Sequence, residues 1–308
     1  MTAIRVGVHA EEAMFTGPLA QRRALLERAR RAGLDHVFVA DHVSFHTGFG
    51  MDGLVRAATI AAHEPELAVH IGVYLLALRH PVPVARQIAT LCESAPGRLV
   101  LGVGVGGEDR HEIEICGVDP ATRGRRTDES LAALLALLSG EPVSHDCEFF
   151  SFEKAWIRPA PDPPVPIVVG GRSGAALRRA GRLGDGWLGV WCSAKRYAEA
   201  RAEVESHGAG RTAAWRHGLQ VWVGLDRDRG AARERLSRAM EGVYKIPFER
   251  FEKYCPYGSP GEIAEFLVAY VAAGARDFNV MAVAGSPEQA IEGVAEIRER
   301  LGGLRPSG

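Results

Sequence analysis

Short apolar, β-branched runs alternate with longer stretches in which apolar residues recur every three or four positions, and the alternation continues along almost the whole chain. The short runs predict strands near Ile4–His9, His36–Ala40, Val69–Tyr74, Leu99–Val103, Val165–Val169, Gly186–Val190, Leu219–Gly224 and Phe278–Val283. Helical patterns follow at Leu19–Ala32, Met51–His63, Val82–Glu93, Thr127–Leu138, Gly174–Leu183, Ala194–His207, Arg229–Glu241 with Gly261–Ala273, and Pro287–Leu301. Eight strand–helix pairs without a linker predict an α/β fold, a single (β/α)8 TIM barrel with insertions, over residues 1–302, with 303–308 as a tail. Three stretches exceed what a barrel needs: Gly104–Arg126, Gly140–Pro164 and Gly242–Ser259. The first and third follow strands and are expected at the C-terminal face, where active sites of this fold are built. The second holds Phe149, Phe150 and Phe152 before a proline-dense run, lies between a helix and a strand, and is expected to cover the barrel's bottom or side.

Composition narrows the class of protein. With 46% hydrophobic and 24% charged residues, the 308-residue chain can bury a large core. Lys plus Arg (37) against Asp plus Glu (38) leaves a net charge of −1, so there is no field to gather nucleic acid or an anionic membrane. The longest strongly apolar stretch, Phe266–Ala275, falls short of the roughly 18 residues that span a bilayer. The N-terminal residues lack a signal-peptide pattern, so a cytoplasmic location is expected. Five cysteines without a C-x-x-C imply reduced thiols, with no disulfide framework or zinc knuckle.

Several clusters carry candidate chemistry. Gly102-Val-Gly104-Val-Gly106-Gly107 matches G-x-G-x-x-G after a strand, but Glu108-Asp-Arg-His-Glu112 follows in place of a long apolar helix, and three βα units precede it. Glycines here instead offer side-chain-free backbone that a flat ring system can approach. Gly170-Gly171-Arg172-Ser173-Gly174 joins a strand to a helix, where N–H groups, a hydroxyl and a guanidinium make a phosphate site. The same residues equally make a plain βα turn with Ser173 as N-cap. Asp41-His42 ends the second strand, with the carboxylate placed to tune the imidazole and the imidazole placed to move protons near neutrality. A hydrogen-bonded rim histidine is the competing reading. Glu108 is the matching acid candidate, in competition with Asp109, His111, Glu112 and Glu114. His42, His46, Glu108 and His111 have no metal-site spacing, so no metal is expected. Trp187 and Trp191, at the two ends of the sixth strand, either line a substrate pocket or pack in the core.

Taken together, the chain resembles the bacterial luciferase-like family of flavin- and F420-dependent oxidoreductases along its whole length. The carrying motifs are Ala32-Gly-Leu-Asp-His-Val-Phe-Val-Ala-Asp41-His42, Ile71-Gly-Val-Tyr-Leu-Leu-Ala-Leu-Arg79-His80-Pro81 and Gly97-Arg98-Leu-Val-Leu-Gly102-Val-Gly104-Val-Gly106, followed by Arg123-Gly-Arg-Arg-Thr-Asp128-Glu129, Pro166-Ile-Val-Val-Gly170-Gly171-Arg-Ser173, Gly184-Asp185-Gly186-Trp187 and Gly258-Ser-Pro-Gly-Glu262. The resemblance implies a TIM-barrel catalytic domain with the cofactor across the C-terminal strand ends. It implies that Gly72-Val73, leading into Tyr74, forms a bulge with a non-prolyl cis peptide under the ring. Gly104, Val105 and Gly106 then lie along the ring's polar edge, and Gly170, Gly171, Arg172 and Ser173 lie near the phosphate, with Asp41 beside the cofactor. His42 matches the histidine near the reacting carbon, and Glu108 approximates the family's glutamate, displaced one residue by the extra glycine at Gly106-Gly107. The Leu-Arg-His-Pro and Gly-Val-Gly-Val-Gly-Gly-Glu patterns look most like the F420-dependent members, which implies hydride exchange with a small-molecule substrate. The alternative cofactor is FMN, with oxygen chemistry and a partner reductase supplying reduced flavin or F420; the third reading is a non-catalytic flavin-binding barrel. A homodimer is implied by the resemblance alone.

Overall fold

The computed structural model describes residues 3–46, 48–107 and 109–303. Among them, eight parallel strands occupy the predicted places: β1 (Arg5–His9), β2 (His36–Val39), β3 (Ala68–Tyr74), β4 (Leu99–Val103), β5 (Ile167–Gly170), β6 (Gly186–Val190), β7 (Gly218–Leu225) and β8 (Asp277–Val283). Their order is β6-β5-β4-β3-β2-β1-β8-β7, and β6 also pairs with β7, which closes a (β/α)8 barrel; the two-residue strand Tyr257–Gly258 adds to β7. β2, β4 and β5 are buried at every position. That is why they read as nearly unbroken apolar runs rather than as alternating ones: a parallel sheet of this kind is covered on both faces.

The helices are α1 (Leu19–Arg31), α2 (Gly53–His63), α3 (Pro81–Ser94), α4 (Arg110–Glu114), α5 (Arg123–Leu137), α6 (Gly174–Leu183), α7 (Ala194–His207), α8 (Arg229–Tyr244), α9 (Pro260–Ala272) and α10 (Pro287–Gly302). Their starts follow local chemistry. Asp52, Ser173, Ser193, Asp228 and Ser286 accept first-turn N–H groups, and Ser259 with Glu262 forms a reciprocal capping box. α5 begins at Arg123, ahead of the predicted Thr127, because tertiary bonds hold a turn that has no apolar period. Arg126 Nε donates to Ala77 O at 2.7 Å, while Arg179 donates to Gly124 O at 2.9 Å and to Asp128 at 2.6 Å.

By compactness the chain divides into Val39–Gly186 and a second unit made of the chain up to Phe38 and from Trp187 onward. Val39–Gly186 holds two antiparallel hairpins beside its barrel strands. One pairs His42–Phe45 with Phe49–Met51. The other, Val143–Asp146 with Ser151–Ala155, is the second insertion. Its Phe150 meets His80, the N-cap of α3, at 5.4 Å between ring centroids, and Arg86 of α3 donates to Arg158 O at 2.8 Å, so it covers the side of this unit rather than a strand bottom. In the second unit the third insertion folds as two 3-10 turns, Phe248–Arg250 and Glu252–Tyr254. Phe248 and Cys255 bury there against Trp222, Leu236 and Met240. Among the described residues no helix is long and apolar enough to cross a membrane.

Candidate active site

The residues singled out near the end of β2 sort into two separate groups. Asp41 is fully buried and accepts four hydrogen bonds from its own unit: Gly53 N at 2.9 Å, Leu75 N at 2.8 Å, and Arg79 Nη1 and Nη2 at 2.7 and 2.9 Å. Arg79 also reaches Asp52 Oδ2 at 3.2 Å and lies over the Tyr74 ring, 4.3 Å from its centroid. Burial pushes the Asp41 carboxyl above its ordinary range despite Arg79 and the two N–H donors, and burial likewise raises the Tyr74 hydroxyl. Asp41, Tyr74 and Arg79 therefore form a buried pin that joins the ends of β2 and β3 to the start of α2.

His42 has a different partner from the one its neighbour in the chain suggests. Its Nδ1 lies 3.0 Å from Glu112 Oε2 and 3.3 Å from Oε1. Oε1 also accepts the Val43 and Ser44 N–H groups at 2.7 and 3.1 Å. Burial opposes ionisation of Glu112, but the bonds from His42, Ser44 and Val43 outweigh it and hold the carboxyl below its ordinary value. A charged carboxylate at Nδ1 makes that nitrogen the donor and leaves Nε2 as the atom that takes or gives a proton. The side chain of His42 is 26% exposed and that of Glu112 only 3%, so the imidazole is reachable while its partner is not. Asp109 adds a second clamp, accepting His46 N at 2.6 Å and, as N-cap of α4, His111 N at 2.9 Å. Glu112, the residue that holds His42, stands in the sequence analysis only among the competitors of Glu108. Asp109-x-x-Glu112 has helix-start spacing, but nothing local shows that its second acid reaches back to His42. Glu108 itself lies outside the described residues.

The glycine run has a reason of its own. The Gly72–Val73 peptide is cis, as the resemblance implied, and the pairing of β3 with β4 shifts register between Ile71 and Tyr74. A Cβ at Gly104 would collide with the Val73 side chain, and one at Gly170 would lie 2.9 Å from Val73 Cγ1. These two glycines admit Val73, a neighbour within the protein, where the sequence led to a ring edge for Gly104 and a phosphate for Gly170. Gly106 and Gly107 differ: their φ angles of 66° and 139° bend the chain away from β4, and Val105 and Gly106 are half-buried while Gly107 is exposed. The backbone at Val105–Gly107 is therefore the part of the run left accessible.

At the end of β5, Gly171 turns with φ 120° and Ser173 accepts Ala176 N at 3.2 Å as N-cap of α6. The plain turn is thus present, with Arg172 and Ser173 exposed at the N-terminus of a ten-residue helix. In the second unit Trp187 is core, 1% exposed and 5.0 Å from Tyr197 between ring centroids. Trp191, half-buried with φ 46°, packs on Tyr244 and Phe251 at 5.0 and 4.8 Å.

The family profile described as luciferase-like monooxygenase matches residues 1–305. An F420-dependent glucose-6-phosphate dehydrogenase of Beutenbergia cavernae is 39% identical over 166 residues, 52% of this chain and 49% of that protein. One from Nakamurella multipartita is 34% identical over 191 residues, 60% and 56% of the two chains. The chain thus aligns with about half the length of these curated relatives. Among solved structures, an F420-dependent secondary alcohol dehydrogenase in complex with an F420–acetone adduct superposes with a TM-score of 0.83 at 19% identity, covering 97% of this chain and 99% of that one. The oxygenating constituent of 3,6-diketocamphane monooxygenase from Pseudomonas putida, in complex with FMN, superposes with a TM-score of 0.77 at 17% identity, covering 97% and 99%. Likeness at these identities speaks to the fold.

Proposed function

The chain belongs to the luciferase-like monooxygenase family, and from that premise we propose that it is an F420-dependent oxidoreductase in which His42 handles the proton that accompanies hydride exchange with a small organic substrate. The observation that carries this reading is the His42–Glu112 pair: a reachable imidazole whose Nδ1 is held by a buried carboxylate. Two relatives named as F420-dependent dehydrogenases support the choice of cofactor, each over about half its length.

The residues present suit a deazaflavin. The exposed turn at Val105–Gly107 offers backbone polar groups to the edge of a planar ring, and Gly171, Arg172 and Ser173 at the α6 N-terminus offer N–H, guanidinium and hydroxyl donors to a phosphate. F420, when bound, supplies hydride chemistry at its carbon 5. The chain's own part is proton management. As an alcohol carbon is oxidised, Nε2 of His42 takes the hydroxyl proton and Glu112 stabilises the resulting imidazolium through Nδ1–H; in the reductive direction the same nitrogen returns the proton to the carbonyl oxygen. Asp41 and Arg79 act at one remove, by fixing the loop after β3. On this reading the chain works as a homodimer, and in the reductive direction a separate reductase supplies the reduced cofactor that the reaction consumes.

The deciding experiment measures equilibrium binding of F420 and of FMN to the purified chain, followed by F420 absorbance changes with a panel of alcohols and carbonyl compounds. Micromolar F420 affinity with substrate-dependent bleaching or recovery is expected. Micromolar FMN affinity without F420 affinity, with reduced-FMN- and oxygen-dependent turnover, overturns the proposal in favour of a monooxygenase. Turnover insensitive to His42→Ala removes the role assigned to that residue.

A further inference from the structure

The hairpin of the second insertion carries chemistry that the redox site does not use. Its first strand, Val143–Asp146, runs directly into Cys147, and the i, i+2 spacing of His145 and Cys147 puts the imidazole and the thiol on one side of the ladder. The ladder continues through Cys147, whose N–H donates to Phe150 O at 3.1 Å. Facing them from α5 is Glu129, whose Oε2 lies 3.1 Å from His145 Nε2. One ligand atom from each of Glu129, His145 and Cys147 falls within 4.8 Å of the others. All three residues are half-buried. The imidazole packs against the rings of Phe150 and Phe152, with centroids at 5.2 and 5.9 Å, so its direction is set by packing.

We propose that Glu129, His145 and Cys147 form a binding site for a zinc-class divalent transition metal that ties the hairpin to α5. The donor set decides the class. One thiolate, one imidazole and one carboxylate suit a borderline ion, whereas calcium or magnesium takes an all-oxygen shell. With metal–ligand bonds of about 2.0–2.3 Å, the edges of a tetrahedral site measure about 3.3–3.8 Å, so the trio needs only a small closure. Binding releases the Cys147 proton to solvent and gives up its Sγ–H bond to Phe150 O, now 3.4 Å long. The fourth position falls to water, because among the described residues no further His, Cys, Asp or Glu joins these three. A pocket of about 180 Å³ lined by Arg125, Asp128, Glu129, Glu148 and Phe149 gives solvent access beside it. The site departs from the sequence expectation of no metal because Glu129 is remote in the chain from His145-x-Cys147, and no ligand-spacing motif spans a helix and a hairpin.

The test uses the full chain, reduced and stripped with chelator, titrated with Co2+ alone. One Co2+ per chain is expected, with a thiolate-to-cobalt charge-transfer band in the near ultraviolet and displacement by Zn2+. Cys147→Ser removes the band, and His145→Ala weakens binding by about tenfold or more. A wild-type chain that binds Co2+ without a thiolate band overturns the site, and so does one that binds no more tightly than the Cys147→Ser/His145→Ala double variant. The wild-type spectrum decides even if a variant fails to fold, and none of the three residues touches the proposed redox site, so F420 binding is scored separately.

Discussion

At the scale of the residue, the site depends on which carboxylate meets which cation. Two acids compete in the neighbourhood of His42, and adjacency in the chain favours Asp41, yet Asp41 points to Arg79 and Glu112 takes the histidine. A sequence shows the residue types but not this pairing, because Glu112 reaches His42 across a separation of 70 residues. Glu112→Gln keeps an acceptor for Val43 and Ser44 but removes the charge that stabilises an imidazolium, so it is expected to lower kcat by about 10- to 100-fold with a smaller change in KM. Steady-state kinetics on the purified variant check the split between kcat and KM. A depressed carboxyl in the folded state contributes stability that is full above its unfolded pKa and is lost as pH falls through the folded one. The gap in melting temperature between wild type and Glu112→Gln should therefore hold steady above about pH 5 and close below about pH 4. The buried pin is tested differently. Arg79→Met strands Asp41 and is expected to cost about 3–5 kcal/mol in denaturant unfolding, and adding Asp41→Asn in the same chain should recover part of that loss.

At the scale of the element, the end of β3 and the starts of the turns after β4 and β5 are shaped around one side chain. Val73 fills the space that a Cβ at Gly104 or Gly170 needs. The glycines were legible in the sequence, but their reason was not, since only the packed strands reveal what stands opposite them. Gly104→Ala is expected to destabilise the chain by about 1–3 kcal/mol through overpacking. Val73→Ala in the same background should relieve most of the penalty, and a double-mutant cycle by urea unfolding measures the coupling. The hairpin His42–Phe45 with Phe49–Met51 escaped the sequence reading for a similar reason. Its strands are short and only Phe45 is buried, so they carry no strong apolar alternation, and the carboxylates of Asp109 and Glu112, from another element, hold the backbone N–H groups of this segment.

At the scale of the whole molecule, stability couples to pH through histidines that fold as neutral rings. Burial pushes His36, bonded to Asn279 Oδ1 at 2.8 Å, down to about 4, and it does the same to His217, whose Nδ1 accepts Trp187 N–H at 3.2 Å. Above about pH 6.5 neither state holds the extra proton; between there and pH 4 only the unfolded chain takes it up, so stability falls as pH falls, by about 3 kcal/mol for each ring. Urea unfolding near pH 7 and pH 4.5 should show that loss, and His36→Gln, though weaker at pH 7, should lose less on acidification. The architecture follows from local pattern: continuous apolar runs demand strands covered on both faces, three-to-four periodicity supplies the covering helices, and serines, aspartates and prolines mark where those helices start. The same pattern puts His42 and the glycine turns where a barrel places its chemistry. The tertiary structure alone decided which acid serves His42, that Asp41 and Arg79 hold a loop in place, that Val73 dictates two of the glycines, and that Glu129 meets His145 and Cys147. The physical reason is the same in each case. Local patterns report how a residue relates to its own helix or strand, whereas a hydrogen bond, an ion pair or a filled space depends on partners that only the closed sheet and its insertions bring together.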